Sequence, residues 1–357
     1  MPSMRRRRAR LPKSPIAVAF AVTIALSSIA FHGAAAQHSD DQFFAGKQIK
    51  LTTHVGPPSG YSAWARLVAA HLGRHIPGTP SIVVQNMPGG GGMKAANYLY
   101  AMASKDGLEL GAVNRLVPTL SIMGSPGATF DSALFGWLGS PASDTNLCIV
   151  SRATPVHTVD DLMSKEVIVG TDGVGSGMHI FPTALNSVLG TKFKVIDGYK
   201  DTGDVMLAVD RGEIQGLCLS AETLTTMRGD YFKSGQWRPI LQAGLTVSPD
   251  FPDVPLALDR AKTTEQKQIL RFLFESQAFG RPYLAPPGLP PERLAMLRKA
   301  FEETMRDPDF VADVTKLHLK VSPITGAEMD RMIAEMKLVP KNIVAIVAKL
   351  MGSGEAN

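Results

Sequence analysis

Short runs in which apolar and polar residues alternate give way, again and again, to longer stretches with apolar residues three and four apart. Residues 47–53 alternate as a half-buried strand does, and Trp64, Leu67, Val68 and Leu72 then share one helical face until Gly73 and Pro77 stop it. Residues 81–85 read as the next strand, 88–92 as a loop, 93–102 as a helix and 108–113 as a strand, which closes a βαβαβ unit. Residues 124–143 are rich in Gly, Pro and Ser and break this pattern, so a change of unit is expected near Pro141. A second unit follows, with strands over 147–151, 166–170, 193–197 and 214–220 and helices near 158–164, 179–189 and 203–211. Residues 238–243 read as a strand returning toward the first unit. The remainder is largely helical, over about 262–277, 291–306, 308–316, 326–337 and 340–351, with Pro291 and Pro308 near helix starts. Alternating strands and helices with short connections predict an α/β protein.

Two strand-to-helix turns, one in each unit, are built alike. The first runs through Gly56, Pro57, Pro58, Ser59, Gly60, Tyr61 and Ser62, the second through Gly173, Val174, Gly175, Ser176 and Gly177 ahead of His179. Each opens a helix whose first backbone N–H groups lack partners, a setting that favours carboxylate or phosphate. The run Gly89 to Gly92 starts a third helix. Its glycines either allow a tight turn or let backbone N–H groups approach an oxyanion closely. Ser59, Ser62 and Ser176 serve as helix caps, as ligand contacts, or as both. Trp64 and Met93, at helical spacing, are assigned to the core.

The charge changes once export is considered. Arg5, Arg6, Arg7, Arg8, Arg10 and Lys13 precede an apolar stretch over 16–26 and the small residues Ala34, Ala35 and Ala36, the layout of a cleavable secretory signal over 1–36. The apolar core is too short for a comfortable membrane span, so no membrane insertion is expected after cleavage. The residues after the arginine run, Ala9 to Pro12, favour general secretion over the twin-arginine route. Removing these 36 residues takes the formal charge from +5 to −1. A near-neutral mature chain argues against nucleic acid or an anionic membrane as partner. Cys148 and Cys218, bound for an oxidising compartment, either pair across neighbouring strands or stay as two small buried hydrophobes.

Sequence motifs for chemistry are sparse. Ser176 is flanked at two residues by Val174 and Met178 and fails the nucleophile-elbow pattern, Gly46 and Lys47 fail the P-loop, and neither glycine cluster fits the dinucleotide fingerprint. His71 and His75 share a helical face, but no third ligand is evident, so they read as partly exposed helix-end histidines and not as a metal site. His179 either donates to a ligand carboxylate or is a structural histidine. No catalytic residue, cofactor or metal is called for.

At these same residues the chain resembles the periplasmic substrate-binding receptors of tripartite tricarboxylate transporters. The likeness runs from about Phe43 to the C-terminus. It is carried by the first loop through Ala65, Arg66 and Leu67, by 83–92 with its Asn86, Met87, Pro88, Gly89 stretch, by Asp106 to Leu108, by Gly175 to Gly177, and by 198–200 with 207–214. The resemblance implies a two-lobed type II periplasmic-binding-protein fold, with mixed sheets flanked by helices and the ligand in a cleft between lobes. It places 37–143 with 244–357 in lobe 1, 144–243 in lobe 2, and hinges near 141–146 and 239–245. By the family pattern Ser59, Gly60, Tyr61 and Ser62 lie on the first contacting loop, Gly90, Gly91 and Gly92 near the cleft, and Gly175, Ser176 and Gly177 on the opposing lobe. Asn114, Thr202 and Ser220, at strand ends or in the loops after them, are further candidates. The chain departs from the family where Ser62 replaces a usual aspartate. The expectation is a monomeric periplasmic solute receptor, not an enzyme, that passes a di- or tricarboxylate or an aromatic acid to membrane transporter subunits. The alternative is a sensing module that presents a bound carboxylate to a membrane sensor kinase.

Overall fold

The computed structural model describes residues 42–56, 59–173 and 176–351. The signal segment expected over 1–36 and the candidate Gly175 lie outside them. In chain order the elements are β1 (Gln48–Thr53), α1 (Gly60–Leu72), β2 (Ser81–Asn86), α2 (Met93–Ala101), β3 (Glu109–Ala112), α3 (Val117–Ile122), β4 (Gly136–Ser140) and β5 (Asn146–Ser151). Next come α4 (Asp161–Ser164), β6 (Val167–Gly170), α5 (Gly177–Leu189), β7 (Phe193–Ile196), α6 (Thr202–Asp210), β8 (Gly216–Ser220), α7 (Ala221–Lys233) and β9 (Trp237–Ala243). The chain ends with α8 (Thr264–Phe279), β10 (Tyr283–Ala285), α9 (Pro291–Arg306), α10 (Pro308–Lys316), β11 (Ile324–Thr325), α11 (Gly326–Lys337) and α12 (Lys341–Leu350).

These strands form two mixed sheets, ordered β11-β4-β10-β3-β1-β2 and β7-β6-β8-β5-β9. In the first, β1 pairs in parallel with β2 and β3, and β10 runs antiparallel between β3 and β4. In the second, β6 pairs in parallel with β7 and β8, while β5 runs antiparallel to β8 and β9. Parallel strands send the helices that follow them off the same sheet edge, so α1, α2 and α3 start along one edge and α5, α6 and α7 along the other sheet's. Residues 237–243, expected to return toward the first unit, instead complete the second sheet as its edge strand, paired with β5 along their length.

Local chemistry accounts for most boundaries. Thr263 with Gln266 and Thr325 with Glu328 form capping boxes at α8 and α11. Proline at the first positions of α9 and α10 costs no helical bond there. Trp64, Val68 and Leu72 of α1 are buried with Ile49 and Leu51 of β1 and with Phe301 and Phe310, as their spacing predicts. His71 and His75 are engaged by acids in and just before α10: His71 Nε2 lies 3.0 Å from Asp313 and His75 Nε2 lies 2.8 Å from Asp307, the N-cap. His71 is buried rather than part-exposed. A second core joins the two sheets through α8, whose Phe274 packs against Phe181 of α5 at 6.0 Å between ring centroids.

Cys148 and Cys218 stand directly opposite each other on β5 and β8, with Cα atoms 4.0 Å apart, and form a disulfide. They are 70 residues apart in sequence. Replacing both with alanine is expected to lower the unfolding free energy by about 2–4 kcal/mol, mostly through the freed unfolded chain. Urea titration of the double variant beside the wild type measures this.

Candidate functional site

The first contacting loop starts α1 by capping it. Ser59, in an extended conformation, accepts the Ser62 N–H at 3.1 Å. Ser62 is itself fully buried, and its hydroxyl has no hydrogen-bond partner among the described residues. Tyr61 points the other way. Its hydroxyl accepts the Arg115 backbone N–H at 3.3 Å and donates to the Gly280 carbonyl at 3.5 Å. The Tyr61 ring meets His54 edge-on at 4.5 Å and lies under the Arg281 guanidinium, also at 4.5 Å.

From Tyr61 the patch extends in both directions. A side chain at Gly92 would come within 2.9 Å of the Asn114 Cβ and 3.4 Å of the His54 ring, so this glycine, at φ +103°, is fixed by close approach. Asn114 uses its side-chain oxygen to accept the Leu116 N–H. Arg115 reaches across to the second sheet's side: its Nη2 is 3.8 Å from where a Gly177 Cβ would stand, at the start of α5. Arg115 Nη1 lies 3.6 Å from Asp144, in the segment that joins the sheets. Ser176 precedes α5 and shares a hydrogen bond with Thr171 at 3.1 Å. Arg281 Nη2 contacts Glu222 of α7 at 3.3 Å, two residues after Ser220, which caps that helix by accepting the Thr223 N–H.

The structure therefore links Gly60, Tyr61, Gly92, Asn114, Ser176, Gly177 and Ser220 into one neighbourhood between the two sheets. Gly90 and Gly91 are exposed. Thr202 follows Asp201, whose carboxylate already caps α6 and puts a negative charge at that helix start. His179 is paired with Asp197 at 2.8 Å.

Sequence reasoning missed the charged members: His54, Arg115, Asp144, Glu222 and Arg281. Arg115 and Glu222 lie within two residues of the candidates Asn114 and Ser220, which is the one signal that could have found them. Nothing in the pattern marks Arg281, which sits between the end of α8 and β10.

Burial governs their protonation. It pushes His54 down to about 4, with the Ala112 carbonyl opposing and Arg281 adding to the drop, so this imidazole is neutral at neutral pH. It pushes the Glu222 carboxyl up, which Arg281 opposes and Asp144 reinforces. For Arg281 burial works against the charge, but Tyr61, Glu222 and Asp144 outweigh it and hold the guanidinium protonated. Arg281 Nε, Glu222 Oε1 and Asp144 Oδ2 are all sealed from solvent, with Asp144 Oδ2 facing Arg115. The patch sets two cations, each paired with a carboxylate, beside two helix starts. A separate groove of about 550 Å³, lined by Met123, Phe130, Asp131, Lys337 and Val344 among others, shares no residue with it.

A family described as the tripartite tricarboxylate transporter family receptor matches residues 65–348. No curated protein gives a significant match. Among solved structures, a TctC solute-binding protein from Polaromonas, without ligand, is 18% identical with a TM-score of 0.65, covering 84% of this chain and 98% of its own. MatC from Rhodopseudomonas palustris with bound malate is 18% identical with a TM-score of 0.59, covering 84% of this chain and 100% of its own. A second R. palustris protein, with adipate, is 19% identical with a TM-score of 0.58, covering 86% of this chain and 98% of its own. The fold is thus the two-lobed α/β fold of these receptors.

Proposed function

Because the chain belongs to the tripartite tricarboxylate transporter receptor family, we propose that it is a periplasmic solute receptor that encloses a small carboxylate between its lobes. The family is one of solute-binding receptors and not of enzymes. The observation that carries the ligand reading is Arg115, which joins the α1 start through Tyr61 to the α5 start beside Gly177. Helix starts from opposite lobes and a guanidinium converge there, and each favours an anion.

Malate and adipate in the two R. palustris relatives support a small aliphatic dicarboxylate as the class to try first. The division proposed is 37–143 with 244–357 as lobe 1 and 144–243 as lobe 2; that β1–β4, β10 and β11 share one sheet and β5–β9 the other supports it, and α8 and α12 lean on α5 across that division. The hinges fall near 141–146 and 239–245, and closure about them would bury the solute. The protein acts as a monomer and delivers the solute to the membrane subunits of a transporter of this type.

The test is a thermal-shift panel on refolded, ligand-stripped protein, with aliphatic dicarboxylates, tricarboxylates, aromatic acids and amino acids. A solute at about a hundred times its dissociation constant adds roughly 2.7 kcal/mol of stability and raises the melting temperature by several degrees. A shift with one or a few acids is expected. Silence across all carboxylates in a cooperatively folding sample would sink the reading.

A further inference from the structure

Arg281 is held from several sides. Its backbone N–H donates to Ser140 Oγ at 2.9 Å, its guanidinium rests on the Tyr61 ring, and its Nη2 lies 3.7 Å from where a Gly60 Cβ would be. It therefore sits at the start of α1, where cation and helix end act on the same space. Its acid partner, Glu222, meets it at one point only, Nη2 to Oε2 at 3.3 Å. Strong guanidinium–carboxylate pairs run at about 2.7–2.9 Å and use two parallel bonds. Here the pair is joined at Nη2 alone, while Glu222 also engages the Trp64 side chain and Arg281 the Tyr61 side chain. A side-on fork uses Nε and Nη2 together, and Glu222 engages only Nη2.

We propose that Arg281 anchors the solute's carboxylate and that Glu222 holds its place in the ligand-free protein, so that solute binds by displacing Glu222. The proposal rests on the carboxylate-receptor reading and adds the residue that selects for it. Arg281 belongs to the segment leading into β10 of the first sheet, and Glu222 to α7 beside the second. Their contact crosses the lobes, and opening must break it. A solute carboxylate then completes the fork with two oxygens, which a single long contact cannot match.

Charge balance gives the proposal a signature. The ligand-free cleft pairs Arg115 and Arg281 with Asp144 and Glu222, while His54 stays neutral. An added carboxylate leaves one negative charge in excess unless Glu222 takes up a proton. Burial and Asp144 already raise the Glu222 carboxyl, with Arg281 and Arg115 opposing. Affinity for a carboxylate therefore tightens as pH falls, and the slope belongs to Glu222.

The experiment is calorimetric titration of stripped wild type, Glu222→Gln and Arg281→Gln with malate, adipate and the acid giving the largest thermal shift, between about pH 6 and 8. Glu222→Gln is expected to tighten binding about tenfold at the upper end of that range and to flatten the pH dependence. Arg281→Gln is expected to weaken binding about a hundredfold, with its melting curve confirming the fold. In the double variant the gain from Glu222→Gln should vanish, since there is no fork left to free. Weaker or unchanged binding in Glu222→Gln, or a retained pH slope, overturns the proposal while wild-type binding upholds the receptor reading. Wild type that binds no acid overturns both.

Discussion

Replacing Gly280 with alanine is expected to lower the unfolding free energy by at least about 4 kcal/mol, beyond the usual range for a single methyl group. Gly280 ends α8 at φ +56°, and a Cβ there would stand 1.6 Å from the Ala142 carbonyl oxygen and 2.7 Å from its carbon. Those are backbone atoms of the segment joining the two sheets. The Ala142 oxygen is also tied down, since it accepts Ser140 Oγ–H at 2.9 Å. Relief would have to move the chain crossing or unwind the end of α8, and the Gly280 carbonyl would then leave Tyr61. Gly212→Ala is the control: φ is +75° but nothing lies within 4 Å, so only the backbone term of about 1 kcal/mol should be lost. Urea titration of both variants decides the matter, and equal losses would mean that the crossing yields freely.

Glu275→Gln is expected to stabilise the protein, increasingly so with rising pH. Burial in α8, reinforced by Glu335 of α11 and only partly offset by Arg271, pushes the Glu275 carboxyl up to about 8, and its Oε2 has no partner. The unfolded value is 4.5. Below that value the carboxyl is protonated in both states and the glutamine changes little. Between the two values the folded protein holds a proton that the unfolded chain has released, so wild-type stability falls as pH rises. Above about 8 the loss is complete, and the variant should lead by an amount of order 4 kcal/mol. Melting temperatures of the two proteins across that span should diverge steadily. Parallel curves would show that Glu275 ionises freely in the fold.

Where apolar spacing and caps agree, the elements were legible: α1 with Trp64, Val68 and Leu72, the proline-started α9 and α10, and the strands of the second sheet. β4 was not. Gly136, Trp137, Leu138, Gly139 and Ser140 are all buried, so no polar side alternates with an apolar one, and the glycines imitate a loop. β10 has only three residues between Pro282 and Pro286, too few for any period to show. α7 also escaped, its apolar positions too scattered to define a face. For the site, glycine and serine announced helix starts because backbone geometry demands them locally. The charged residues that meet there come from positions 54, 115, 144, 222 and 281, and only tertiary folding sets them side by side.

The place of β10 matters for a chain that emerges from one end to the other. β3 and β4 flank it in the first sheet, yet neither can pair with it until Tyr283 has been delivered, well over a hundred residues after Ser140. Until then each carries an open edge, and the early segment cannot settle into a finished lobe of its own. The sheet order itself thus leaves the leading half without its central pairing until nearly the whole chain is made.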